Sequence, residues 1–160
     1  MAKPWRIPYF DPTDTVAACL QRILRTRSHE MFSYETAAIE GSNVEAVHSM
    51  RVSNRRLKAL MKIFSGCFPK SKFEFHYGCL RSLLRSLGQV RDCDVFINTL
   101  EEQKQFLGAR DHRAVDLLIA RQKQLRYERR KSLTQELRLL RDRNYEEKFL
   151  QFLTKSLQAD

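Results

Sequence analysis

Long apolar runs are the first thing this 160-residue chain lacks: none approaches the ~18–20 consecutive apolar residues that span a bilayer, so no membrane-inserted segment is expected. The opening Met-Ala-Lys-Pro-Trp-Arg has no apolar stretch of the kind a secretory signal needs, and a cytoplasmic location is expected. Glycine and proline are scarce, five and four in all, which leaves little chain for turns. No segment alternates with period two and no Asn-Gly pair marks a hairpin, which argues against a sheet. The four cysteines, Cys19, Cys67, Cys79 and Cys93, show neither a CxxC pair nor zinc spacing. They read as reduced thiols, three of them within apolar-periodic stretches, and disulfides are not expected. His76 and Cys79 alone are too few for a zinc site, so no metal site is predicted.

What is present is helix-forming. Leu, Arg, Lys, Glu and Gln dominate, 42% of residues are hydrophobic and 30% charged. Pro4, Pro8 and Pro12 forbid a helix over residues 1–12, which read as an extended arm carrying Trp5, Ile7, Tyr9 and Phe10. Residues 13–160 read as one helical domain. A first helix is predicted from a cap at Thr13 or Asp14 to about Glu40, broken by Gly41-Ser42-Asn43. A second runs from about Val44 to Cys67, and Pro69 marks the turn. Ser71 is expected to cap a third, which Gly88 interrupts, and Asp92 or Asp94 to cap a short fourth through Leu100. A fifth covers roughly 110–141 and a sixth carries Phe149, Leu150, Phe152, Leu153 and Leu157. The expected fold is an all-α antiparallel bundle of about six helices with short connections.

The charge is unevenly placed. Between Ala46 and Arg91 stand ten Lys or Arg and one acid, Glu74, so this window carries nine of the ten surplus positive charges. Ordinary solvated helices mix signs to gain i,i+4 pairs of a few tenths of a kcal/mol each. The second and third predicted helices do not. At 100° per residue, His48, Arg51, Arg55, Lys58 and Lys62 share an arc of roughly 80°. Arg81 and Arg85 lie one turn apart on the third helix, beside its leucine stripe. Folded back around Pro69, the two helices can present one broad cationic face, and Arg suits bidentate capture of phosphate oxygens. His48, aligned with Arg51 and Arg55, is expected to donate to a phosphate, whose contact would raise its pKa.

Ala46-Val47-His48-Ser49-Met50-Arg51-Val52-Ser53-Asn54-Arg55-Arg56-Leu57-Lys58 resembles the opening signature of the CHAD family, the conserved-histidine α-helical domains. Leu87-Gly88-Gln89-Val90-Arg91-Asp92-Cys93-Asp94-Val95 resembles that family's second signature, in the same order and separation. The resemblance implies a helical bundle that binds inorganic polyphosphate along a basic surface without catalysing a reaction or using a cofactor. It implies that His48, Arg51, Arg55, Arg56 and Arg91 are phosphate ligands. Lys58 stands where the family usually has Arg, while Lys62, Arg81 and Arg85 extend the track on charge geometry alone. Family members are usually longer, with two related four-helix halves and a second basic, histidine-bearing helix. After Asp94 only Lys123-Gln124-Leu125-Arg126-Tyr127 echoes that helix, without the histidine. The chain looks like a single-half version, and a homodimer supplying both halves is the expectation. Association with polyphosphate granules would follow.

Rival chemistries are weaker. Cys79 and Arg85 have the spacing of a cysteine phosphatase, but that chemistry needs a Gly-rich phosphate cradle and this stretch is leucine-rich. Asp92-Cys93-Asp94 would need to end a buried strand to serve as an aspartyl nucleophile; Asp92 is expected instead to cap a helix and orient Arg91. Phosphoryl transfer would call for Mg²⁺-binding carboxylates, which the basic window lacks. Sequence-independent nucleic-acid binding is the alternative, although the arginines have no interleaved aromatic platform for stacking bases. Membrane-surface binding would need exposed Trp or Phe among the basic residues.

Overall fold

The computed structural model describes residues 3–41 and 43–157. Five helices of 13 residues or more pack together, with one short helix beside them: α1 Val16–Phe32, α2 Glu35–Glu40, α3 Val44–Ile63, α4 Lys70–Lys104, α5 Ala109–Asp142 and α6 Tyr145–Leu157. No strand occurs among the described residues.

The all-α class follows from the sequence pattern, but several boundaries differ from those expected. Thr15 caps α1, its Oγ1 accepting from Ala18 N, because Asp14 is taken by Arg22 at 2.9 Å. The expected single helix to Glu40 is two helices. Ser33 Oγ donates to Glu30 O at 2.8 Å, a local bond that competes with helix continuation, and α2 starts after Tyr34. Gly41 ends α2 at φ 72°, where a side chain would be strained, and the Arg130 guanidinium lies where its Cβ would stand. Ser42, the middle of the expected break, lies outside the described residues. Asn43 caps α3, accepting from Glu45 N at 2.9 Å.

The larger difference is α4. The third and fourth predicted helices are one continuous helix of 35 residues. Gly88 does not interrupt it, since Leu87, Val90, Cys93 and Ile97 keep the buried stripe in register across it. Neither Asp92 nor Asp94 caps anything: both are mid-helix, Asp92 exposed and Asp94 paired with Arg126 of α5. Ser71 does not cap α4 either; the helix starts at Lys70 behind Pro69 without a side-chain cap.

Leu20 and Leu24 of α1, Met50, Leu57 and Met61 of α3, Leu80, Leu83 and Leu87 of α4, Leu133 and Leu137 of α5 and Phe149 of α6 form one core with almost no exposure. Each apolar side chain so buried contributes roughly 1.5–3 kcal/mol. Helix α3 packs between α1 and α4. The arm lies along α1: Arg27 donates to the Trp5 carbonyl at 2.8 Å, and Arg22 donates to the Tyr9 carbonyl and lies 5.7 Å from the Phe10 ring centre. At 1.5 Å per residue α4 is about 52 Å long against about 30 Å for α3, so its C-terminal turns outrun the bundle. There α4 meets the start of α5 through a separate small cluster of Ile97, Leu100, Val115 and Ile119.

Candidate functional site

The cationic stripes of α3 and α4 are brought side by side by three cross-helix contacts. The Arg51 guanidinium passes Gly88, whose Cβ, if present, would lie 3.5 Å from Arg51 Nε. Asn54 Nδ2 donates to the Leu80 carbonyl at 3.2 Å, a buried tie between the helices. Lys58 Nζ sits 5.2 Å from the centre of the Tyr77 ring, a cation–π contact. Positions rise along α3 as they fall along α4, so the helices are antiparallel. Lys58, Arg55, Arg51 and His48 therefore run past Tyr77, Arg81, Arg85 and Arg91 in turn, with Lys62 one further turn along. Tyr77 is an aromatic within this track that the sequence argument against nucleic acid did not count, but Lys58 covers its face.

Charge pairing separates the sequence-predicted residues into groups. Among the described residues no ion pair engages Arg51, Arg55, Lys58, Lys62, Arg81 or Arg85. Arg55, Lys62, Arg81 and Arg85 are exposed, and Arg51 and Lys58 are half-buried. Arg91 sits on the same face but lies 3.7 Å from the exposed Glu45 carboxylate. Arg56 is the exception. One residue past Arg55, it points away from the stripe toward α1, where its Nη1 meets Glu30 Oε1 at 3.3 Å. Glu30 has no exposure at all and also pairs with the buried Arg27. Arg56 thus belongs to a buried Arg27–Glu30–Arg56 cluster that ties the arm, through Trp5, to α3. The sequence signal for this cluster was Glu30 itself, a carboxylate among the apolar positions of the first helix.

Two polar atoms under the cationic face, His48 Nδ1 and Arg51 Nε, are buried without a hydrogen-bond partner among the described residues. Burial, with Arg91 beside it, holds the His48 pKa below the ordinary histidine value, while Glu45 pulls the other way. The free chain therefore carries a neutral His48 at pH 7, not the imidazolium that a bound phosphate would favour. Asp92 is exposed and makes no bond that orients Arg91, contrary to expectation. Asp94 was missed as a structural residue: it is buried and anchors Arg126, and hence α5, to α4.

A cleft of about 440 Å³ lies between α1, α2, α5 and α6, walled by His29, Glu35, Tyr145, Glu146 and Glu147. Its carboxylates Glu35 and Glu146 are paired with Arg141 and His29, which leaves the lining no surplus cation for a phosphate. Among the described residues no group of three or more potential metal ligands comes together. No described helix is long and apolar enough to cross a membrane. Cys93 is buried, Cys19 and Cys79 are half-buried, and Cys67 is exposed.

The family model of the CHAD domain matches residues 22–160, from within α1 onward, and takes in both signature stretches and the whole α3–α4 face. This chain belongs to the CHAD family. No curated protein matches it. The CHAD domain is generally a binding domain, and the family is associated with polyphosphate. In this CHAD chain the two signatures meet in space: Arg51 of the first lies against Gly88 of the second, and His48 of the first is influenced by Arg91 of the second.

Proposed function

We propose that this chain binds inorganic polyphosphate, without catalysis, along the face shared by α3 and the first half of α4. The observation that supports the reading best is that two antiparallel helices align Arg51, Arg55, Lys58, Lys62, Arg81 and Arg85 with no carboxylate partner among the described residues, the first three of them within the opening signature stretch of a polyphosphate-associated family. Like charges one turn apart repel. A linear polyanion offsets that repulsion along its whole length. The guanidinium forks of Arg51 and Arg55 meet phosphoryl oxygens in pairs, Lys58, Lys62, Arg81 and Arg85 extend the track, and His48 and Arg91 donate at one end. Arg56 contributes field rather than contact while Glu30 holds it. No cofactor is needed, because the ligand itself carries the groups that the side chains recognise.

Replacing Arg51 and Arg55 together with Ala should weaken binding of long-chain polyphosphate at least about tenfold, the loss of two charge-assisted contacts, with the helical circular-dichroism signal retained. Unchanged binding by that double variant refutes the site. Affinity should fall steeply with salt as neutralised phosphates release counterions. Titration of long-chain polyphosphate against single- and double-stranded DNA at fixed salt separates this reading from general nucleic-acid binding.

A second copy of the chain is the proposed occupant of the outlying α4–α5 hairpin. Residues 95–121 carry four basic and four acidic side chains, so in a chain of net charge +10 this segment is neutral. It also exposes Phe96, Phe106, Leu117 and Leu118. Two copies meet there away from the strongly basic stretch between Ala46 and Arg91, in an isologous pair that sets two cationic faces in one particle.

A further inference from the structure

The first turn of α4 has the wrong charge. A helix N-terminus carries about half a positive charge and favours acids over cations. This 35-residue helix begins without a side-chain cap, has no acid in its first turn, and places Lys70 and Lys72 there instead. Across a cleft of about 310 Å³ from Lys72 stand Lys148 and Lys155 of α6, two turns apart on one face. The floor of the cleft is His76, which is buried and stacked on Phe152 at 4.4 Å between ring centres. Burial pushes the His76 imidazole down to about 4, so it adds no positive charge at pH 7. Gln151 supplies an amide at the wall. Among the described residues no carboxylate lines the cleft and no ion pair engages Lys72, Lys148 or Lys155. Three lysines therefore converge on the positive end of a long helix with no carboxylate paired to them among the described residues.

We infer that this cleft between the first turns of α4 and the outer face of α6 is an anion site for one compact phosphoryl group, with Lys72, Lys148 and Lys155 as its charge partners. It is separate from the face described above: Lys72 and Arg81 are nine residues apart, half a turn round α4 from each other. The chemistry also differs. Ammonium groups act as point charges around a small concave volume, where the α3–α4 face offers planar forks along an open track. Such a pocket takes a free, doubly charged phosphoryl group, as orthophosphate or at the end of a short oligophosphate, in preference to the singly charged links of a polymer. The inference stands whether or not long-chain polyphosphate is the ligand of the other face.

The test is a titration of the full chain, at low salt, with inorganic phosphate and separately with pyrophosphate, followed through backbone amide resonances. Saturable shifts are expected at Ser71, Lys72, Lys148 and Lys155. Lys148→Ala with Lys155→Ala should weaken phosphate binding roughly tenfold, as loss of two charged partners implies, and leave long-chain polyphosphate binding within about threefold. The lysines are exposed and mutually repulsive, so melting should not fall, which a thermal scan checks. Arg51→Ala with Arg55→Ala should spare phosphate binding. Shifts confined to the α3–α4 face, no saturable shifts, or wild-type phosphate affinity in the lysine double variant would each overturn the site. Tighter binding of pyrophosphate identifies the end of an oligophosphate as the better ligand, and equal binding identifies orthophosphate.

Discussion

His48 and Glu30 show how far the role of a single residue depends on what surrounds it. With its Nδ1 buried and unpartnered, and Arg91 and Arg51 near, His48 is disfavoured as a cation in the free chain. A phosphate reverses that preference, so binding takes up a proton. The sign follows directly: polyphosphate affinity should rise as pH falls from 7.5 toward 6, with proton uptake read by calorimetry in buffers of different ionisation enthalpy. His48→Gln should remove that pH-dependent part and leave the rest. Glu30 is the opposite case, a carboxylate whose charge is wholly internal. Glu30→Gln removes the charge that the buried Arg27 pairs with, and breaking a buried pair in this way costs about 3–5 kcal/mol. Urea unfolding should show that loss, whereas polyphosphate affinity of the folded variant should not fall, since no cation of the α3–α4 face is removed.

Helices α3 and α4 owe their joint face to close contact at Gly88. A glycine inside a helix costs roughly 0.5–1 kcal/mol relative to alanine. A Cβ at position 88 would meet Arg51 Nε at 3.5 Å, ordinary contact, whereas a longer side chain would have to displace the guanidinium. Gly88→Ala should accordingly raise the melting temperature and keep polyphosphate affinity. Gly88→Leu should weaken binding even though it removes no charge. Equal binding by the leucine variant would show that the position of Arg51 is immaterial. Helix boundaries were the least legible feature in the sequence. Gly88, Asp92 and Asp94 are punctuation residues by type, yet the leucine stripe runs through them and Arg126 claims Asp94. Tertiary packing overrode local propensity at each of these positions.

For the molecule as a whole, charge and length conflict. The bundle around α1, α3 and α6 is shorter than α4 and α5, whose far ends pack on each other and leave Phe96, Phe106, Leu117 and Leu118 exposed. Association through this neutral hairpin predicts a dimer by light scattering at micromolar concentration. Leu118→Glu with Phe96→Glu should return it to a monomer, with the secondary structure kept because both side chains are already about half exposed. A monodisperse monomer, both free and with polyphosphate, sinks the pairing. If dimer and monomer bind long-chain polyphosphate with different apparent affinity, the two faces act together on one chain.

Composition, periodicity and the two signature stretches were enough to establish an all-α protein, the family, and the stripe of cations on each of two helices. All of these are properties of short stretches, since the angular position of a side chain on a helix is set by its own numbering. Which cations are left without partners was not legible, because Arg55 and Arg56 differ by one residue and only the packing of α1 beside α3 brings Glu30 to the second of them. The lysine cleft has the same origin, since Lys72 and Lys148 are 76 positions apart and meet only where α6 folds against the start of α4. A charge is local to its residue, but its neutralisation belongs to the fold.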